Sequence, residues 1–244
     1  MRDITKIKVN LFPMDVICSI SYAKDHYFKW PLWEHLPIAA AIGSIKRHQH
    51  RRYDQSYVYH RRARAYCNLT HAVMYIDPEH VFNVTIPRSK FSHIDEILAN
   101  PDPIVILRHR AIGPDPCVSA MGLHPDKTIL MNTCKPMIGK SYDIPELFTH
   151  LIGELLGYDT LPIKVLAKLL GIGKNNMVCS VGVRTVFEKY RQITGAYPRL
   201  YNSLVELTDP ALLAIGEADE PSPLVPWYDE VQPKVTSAVA VDKE

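Results

Sequence analysis

The sequence lacks any apolar run long enough to cross a membrane. A spanning helix needs roughly 18 or more apolar residues in succession, and the longest apolar segment, Leu36 to Ile42, is far shorter. Residues 1–13 carry scattered charges and no apolar stretch of the kind that a signal peptide contains. We therefore expect no membrane span and no secretion signal, and we predict a protein that is cytoplasmic after synthesis.

Cysteine is scarce and shows no paired spacing. The five cysteines stand at positions 18, 67, 117, 134 and 179. An odd number without paired spacing argues against a disulfide framework and against a zinc site. His48, His50 and His60 lie near one another, but no carboxylate cluster or cysteine pair accompanies them. We predict no metal and no other cofactor.

Excess charge is also lacking, because the formal net charge is only +2. The total therefore does not require nucleic acid or an anionic membrane as a partner. Apolar residues make up 47% of the chain and charged residues 22%, as in an ordinary globular protein. The length of 244 residues suits one sizeable domain with appendages.

Strand-like segments come first in the chain and helix-like segments follow. Residues 1–33 resemble a first strand and a loop. Apolar β-rich runs predict strands over 14–20, 69–76, 80–86, 104–107 and 128–131. Apolar residues at helical spacing predict helices over 147–156 and 162–170, and a third that begins near Met177. This order predicts an α+β fold rather than alternating βαβ units.

Two segments stand outside this pattern, so we predict a domain over 1–215 with a basic insertion at about 34–66, and an extended C-terminal tail over 216–244. Residues 46–64 carry seven Lys or Arg side chains against one acid, Asp54. These cations could follow a phosphate backbone, and the tyrosines interleaved with them could stack on bases. The interpretation we favour is that the insertion, like the proline-rich tail, docks a protein partner.

Cys179 is the cysteine best placed for chemistry. It lies at the predicted start of the third helix, after the polar pair Asn175 and Asn176. A helix N-terminus stabilises a thiolate, which is the nucleophilic form of cysteine. The alternative is a buried structural thiol, which is the commoner role of a cysteine.

His71 is a candidate general base because it begins a predicted strand, where its ring would project at the edge of a sheet. A core or surface histidine is the alternative.

Four segments together resemble the circularly permuted papain-like amidase family, a branch of the NlpC-type cell-wall peptidases. The segments are Phe12–Ile17, Leu69–Ile76, Gly139–Asp143 and Val178–Val183. They are similar, in order, to the family's Pro-Gly-Asp strand, its histidine strand, its Gly-Lys-Pro-Tyr-Asp turn and its Cys-Ser-Glu-Leu-Val helix. Met14 stands where the family usually has glycine, Val181 where it has an acid, and Asn83 where it has glutamate.

The resemblance implies a permuted papain-like fold, with a small antiparallel sheet or barrel followed by helices and a nucleophile helix near the C-terminus. It implies Cys179 as nucleophile, His71 as base and Asn83 as the third residue, which would accept the ring N–H through its side-chain oxygen. His80 is the competing candidate for that role, and an asparagine at a strand edge is the structural alternative. Tyr22, Tyr75 and Ser180 are the candidate substrate-contacting residues.

The implied activity is that of a cysteine amidase or endopeptidase acting on the amide bonds of peptidoglycan stem peptides, with lipid-acyl or other amide substrates as the alternatives found among relatives. Such an enzyme without a secretion signal would need another route to the wall, and a phage tail or other delivery particle is one. The alternative is a structural or assembly protein on the same fold with a degenerate site, which the departures at Met14, Asn83 and Val181 favour.

Overall fold

The computed structural model describes residues 2–20, 66, 68–85, 87–112, 124–142, 176–195, 210–217 and 220–231. The helices within these ranges are α1 (Ile4–Asn10), α2 (Ile94–Ala99), α3 (Lys127–Cys134), α4 (Cys179–Thr194) and α5 (Pro210–Ile215), with a 3₁₀ turn at Lys135–Met137. The strands are β1 (Val16–Ser19), β2 (His71–Tyr75), β3 (Val81–Asn83), β4 (Lys90–Ser92), β5 (Ile104–His109), β6 (Ser141–Tyr142), β7 (Asn176–Met177), β8 (Gly216–Glu217), β9 (Glu220–Pro221) and β10 (Leu224–Asp229).

Six of these strands form one antiparallel sheet in the order β10-β5-β1-β2-β3-β4. The central strand β1 pairs with β2 through Ser19 opposite His71, and with β5 through Ser19 opposite Ile104. The predicted mixed α+β class with an antiparallel sheet is confirmed.

The sheet buries apolar side chains on both faces, because successive residues of a strand point to opposite sides. Ala72 and Met74 of β2 belong to a core shared with α3, α4 and α5. Val73 and Tyr75 belong to a second core shared with α1 and α2. Helices therefore cover both faces, and β2 lies between two cores.

Helix α4 packs closely on the first of these faces. Its buried side includes Val183, Val186, Phe187 and Tyr190, the residues whose spacing predicts it. A Cβ atom at Gly182 would lie 2.6 Å from Cγ2 of Val84, so only glycine permits this close approach to the segment after β3. The close packing fixes where the N-terminus of α4 lies relative to the sheet.

Several predicted elements agree with the structure and two are wrong. Strands are found within the predicted ranges 14–20, 69–76 and 80–86, the strand predicted over 104–107 extends to His109, and a helix begins at Cys179. Residues 4–10, expected as strand or loop, form α1, because Asp3 caps the Lys6 N–H and Ile7 is buried on the sheet. Residues 128–131, expected as a strand, lie in α3, which begins with Asp126 accepting from the Thr128 and Ile129 N–H groups.

The segment after residue 215 also corrects an expectation. Residues 224–229 are extended, as predicted, but they form β10, an edge strand of the main sheet paired with β5. The domain therefore continues beyond 215 to at least Val231. Most of the basic insertion at 34–66 and the helices predicted over 147–156 and 162–170 lie outside the described residues, as do residues 232–244.

Candidate functional site

Cys179 is the first residue of the sixteen-residue helix α4. The preceding residue, Val178, is extended and has no side-chain atom that can cap the helix, so the N-terminus is built from backbone N–H groups. The side chain is 3% exposed. Its Sγ atom lies 3.9 Å from the carbonyl oxygen of Thr70. The thiol is thus held against the start of β2.

His71 directly follows Thr70, so the thiol and the imidazole occupy the same end of β2. A carbonyl oxygen lies about 3 Å from the Cα of the next residue across a trans peptide. The Sγ of Cys179 is therefore within about 7 Å of the Cα of His71. One imidazole side chain spans most of that separation.

A polar network holds the ring of His71. Its Nε2 atom lies 3.0 Å from Oδ1 of Asn83. The Nδ2 group of Asn83 donates in turn to Oγ of Ser92 over 3.2 Å. Because an amide oxygen only accepts, Nε2 carries the proton and Nδ1 is the nitrogen left to act as a base.

The ring and the thiol approach the strand from different sides. By the alternation along β2, His71 lies on the face of Val73 and Tyr75, whereas Cys179 belongs to the core on the other face. Among the described residues, no hydrogen bond joins the His71 ring to Sγ. For Nδ1 of His71 to reach Sγ of Cys179, the imidazole ring would have to rotate past the backbone at the start of β2, towards the face on which Cys179 lies.

Burial lowers the pKa of His71, and the hydrogen bond to Asn83 opposes that shift. Burial disfavours the charged ring because it removes water, while the Asn83 oxygen stabilises it. The site therefore holds a neutral imidazole near neutral pH, which is the form that can accept a proton from a thiol.

The other predicted site residues are not gathered around His71. Tyr75 lies buried at the opposite end of β2, where burial and the charges of Asp77 and Asp15 raise its pKa to about 12. Ser180 is buried as the second residue of α4. Tyr22 lies outside the described residues. His80 bonds through Nδ1 to Asp77, 2.9 Å away, so it belongs to the turn between β2 and β3.

Ser92 is a polar neighbour of the site that the sequence did not predict. It stands on β4, opposite Val81 of β3, and its side chain is buried. The sequence could have indicated Ser92 only through the alternation of side chains along β3 and β4, which places Asn83 and Ser92 on the same face of the sheet. The short strand Lys90–Ser92 did not carry an apolar pattern that would have identified it.

Comparison with protein-family models, with curated proteins and with solved structures returns no match. In the part of the chain that the structure describes, no three His, Cys, Asp or Glu side chains group as a metal site. Within the same part, no helix is both long and apolar enough to span a bilayer. The assignment of function therefore depends on the chemistry around Cys179 and His71.

Proposed function

We propose that this protein is a cysteine hydrolase, an amidase or endopeptidase, with Cys179 as nucleophile and His71 as base. One observation carries the proposal. Sγ of Cys179, at the N-terminus of α4, lies 3.9 Å from the carbonyl oxygen of Thr70, the residue before His71. Nε2 of His71 in turn lies 3.0 Å from Oδ1 of Asn83. Nucleophile, base and orienting group are the parts that such a site requires.

The reaction would proceed in two steps. Once the His71 ring has turned Nδ1 towards Sγ, Nδ1 takes the thiol proton, and the thiolate attacks an amide carbonyl to form a tetrahedral oxyanion. Backbone N–H groups at the start of α4 would stabilise that oxyanion. His71 returns the proton to the leaving amine, and a water activated by the same ring then releases the acid from the acyl-enzyme.

Peptidoglycan stem peptides are the substrate class that we propose, on the resemblance of four sequence segments to permuted papain-like amidases. Delivery within a phage tail or similar particle is part of the same proposal. The left-handed backbone of Met14, φ 71°, supports the resemblance, because the family usually has glycine at that position.

The test is hydrolysis of purified peptidoglycan by the wild type, Cys179→Ala and His71→Ala, with Cys134→Ala as the matched control. Cys134 is a buried thiol on α3 whose pKa is raised to about 12, chiefly by burial. We expect the first two variants to lose release of fragments and the control to retain it. Equal release by the wild type and Cys179→Ala would refute the proposal.

A second candidate is an assembly protein that retains this fold with an inactive site. The burial of Cys179 and the separate faces of the thiol and the ring favour it. In that case the wild type and Cys179→Ala would be equally inert, and both would form the same complexes.

A further inference from the structure

Ser92 lies behind the asparagine that holds the His71 ring. Both side chains are almost fully buried, with Asn83 7% and Ser92 6% exposed. The Oγ atom of Ser92 is 3.2 Å from Nδ2 of Asn83. The three side chains of His71, Asn83 and Ser92 therefore form a row across β2, β3 and β4.

The direction of the Asn83 amide decides what the ring can do. With Oδ1 on Nε2, as observed, the ring keeps a basic Nδ1 and can also become imidazolium. With the amide reversed, Nδ2 would donate to Nε2, and the ring would carry its proton on Nδ1. A ring in that state cannot take a proton from a thiol.

We infer that Ser92 is a positioning residue that anchors Nδ2 of Asn83 and so keeps Oδ1 on the His71 ring. In the observed direction, the Ser92 oxygen accepts the amide proton that faces away from the ring. Without that acceptor, a buried N–H would lack a partner, and the amide would rotate to find one. The effect on the reaction rests on the proposed function, whereas the effect on the ring does not.

Ser89 offers a matched control on the strand-like segment before β4. Its hydroxyl is also buried, but it donates to the carbonyl oxygen of Met137 over 2.5 Å, with the carbonyl oxygen of Lys140 3.3 Å away. Ser89→Ala therefore removes a buried serine hydroxyl without touching the row that leads to His71. A general loss of stability would appear in both Ser89→Ala and Ser92→Ala. An effect on the position of the Asn83 amide would appear in Ser92→Ala alone.

The experiment is an NMR titration of the ¹⁵N-labelled His71 ring in the full chain. The variants are Ser92→Ala, Ser92→Thr, Ser89→Ala, Asn83→Ala and the double variant Ser92→Ala/Asn83→Ala. The hydrogen bond to Asn83 raises the pKa of His71, so its loss should lower the ring's proton affinity. We expect about a three- to tenfold fall for Ser92→Ala, the size of one hydrogen bond.

The double variant separates positioning from general damage. If Ser92 acts through Asn83, its removal has no further effect once Asn83 is alanine. Ser92→Thr keeps the hydroxyl and should resemble the wild type, as should Ser89→Ala. An unchanged ring in Ser92→Ala, or equal effects with and without Asn83, would overturn the inference. Should Ser92→Ala fail to fold, Ser92→Cys, with a weak acceptor, should lower the affinity less, in the same direction.

A parallel measurement keeps this inference distinct from the proposed function. The rate of Cys179 alkylation should fall by a similar factor in Ser92→Ala if His71 activates the thiol. A shifted ring with unchanged alkylation would leave Ser92 as the anchor of Asn83 and would count against the hydrolase alone.

Discussion

The two ends of β2 differ in what their buried polar groups do. At the Tyr75 end, the chain at Met14 and Asp15 hydrogen-bonds to Tyr75, and Asp15 is locked to Arg108 of β5. At the His71 end, Nε2 of the ring is held by the neutral Asn83, and Nδ1 has no hydrogen-bond partner among the residues that the structure describes. At the Tyr75 end, the charged groups Asp15 and Arg108 pair with each other. At the other end, His71 remains able to exchange a proton.

The Asp15–Arg108 pair has the geometry of a permanent structural contact. Nε and Nη2 of Arg108 donate to the two carboxylate oxygens over 2.8 and 2.7 Å, and Asp15 is fully buried. The guanidinium also lies 4.4 Å from the ring centre of Phe12 and 5.0 Å from that of Trp227. Burial raises the pKa of Asp15, and Arg108 opposes that shift.

The largest effect expected at this end follows from Arg108→Ala. It leaves the Asp15 carboxylate buried without its cation, which costs about 3–5 kcal/mol of unfolding free energy. Urea unfolding at neutral pH measures the loss. Lys8→Ala, which breaks the half-exposed surface pair with Asp95, is the control and should change stability little. If the two variants lost similar amounts of unfolding free energy, the Asp15–Arg108 pair would not be the stabilising ion pair that sets the Tyr75 end apart from the His71 end.

Met14 should give the next effect, because its side chain is fully buried while its backbone is left-handed. Met14→Ala creates a cavity and should cost about 2–5 kcal/mol. Met14→Gly also loses the side chain but relieves the backbone, a gain of about 1–2 kcal/mol. We therefore expect the glycine variant to unfold at the higher urea concentration, the reverse of the usual order. If Met14→Ala were more stable than Met14→Gly, the left-handed backbone at residue 14 would be contradicted.

His109, at the same end of the sheet, gives an effect that appears only in acid. Burial, and secondly the charge of Arg110, lower its pKa from 6.5 to about 4. The folded state therefore resists protonation that the unfolded chain accepts, so stability is full above pH 6.5 and falls as the pH drops towards 4. The loss amounts to about 3 kcal/mol.

The variant that tests this is His109→Asn, whose side-chain oxygen can still accept from the Ala111 N–H. Its stability relative to the wild type should be constant above pH 6.5 and rise progressively below that pH. Urea unfolding between pH 7 and pH 4 measures the difference. A gap that does not depend on pH would mean that this ring does not titrate on unfolding.

Local patterns predicted the elements whose periodicity is strong. The apolar run after Thr70 and the helical spacing of Val183, Val186, Phe187 and Tyr190 identified β2 and α4. The pattern at α1 was also present, with Asp3 before Ile4 and Ile7, but the segment is short. Residues 128–131 were ambiguous, because a short apolar run suits a strand or a buried helix.

Long-range pairing could not be predicted in the same way. The prolines near the end of the sequence suggested a tail, yet proline is tolerated in an edge strand, and β10, which contains Pro226, pairs with β5 across more than a hundred residues. At the site, the contact between His71 and Asn83 agrees with the spacing of two paired strands. Ser92 depended on a further pairing, between β3 and β4, for which the sequence held no strong signal.

The most direct test of the claim that His71 activates Cys179 is the alkylation rate of each cysteine, resolved by mass spectrometry, from pH 5 to pH 9. We predict that Cys179 reacts near neutral pH at least about tenfold faster than Cys134, since a thiolate is the nucleophile. We also predict that His71→Ala removes the difference. A Cys179 as slow as Cys134, or a fast Cys179 indifferent to His71→Ala, would contradict the account.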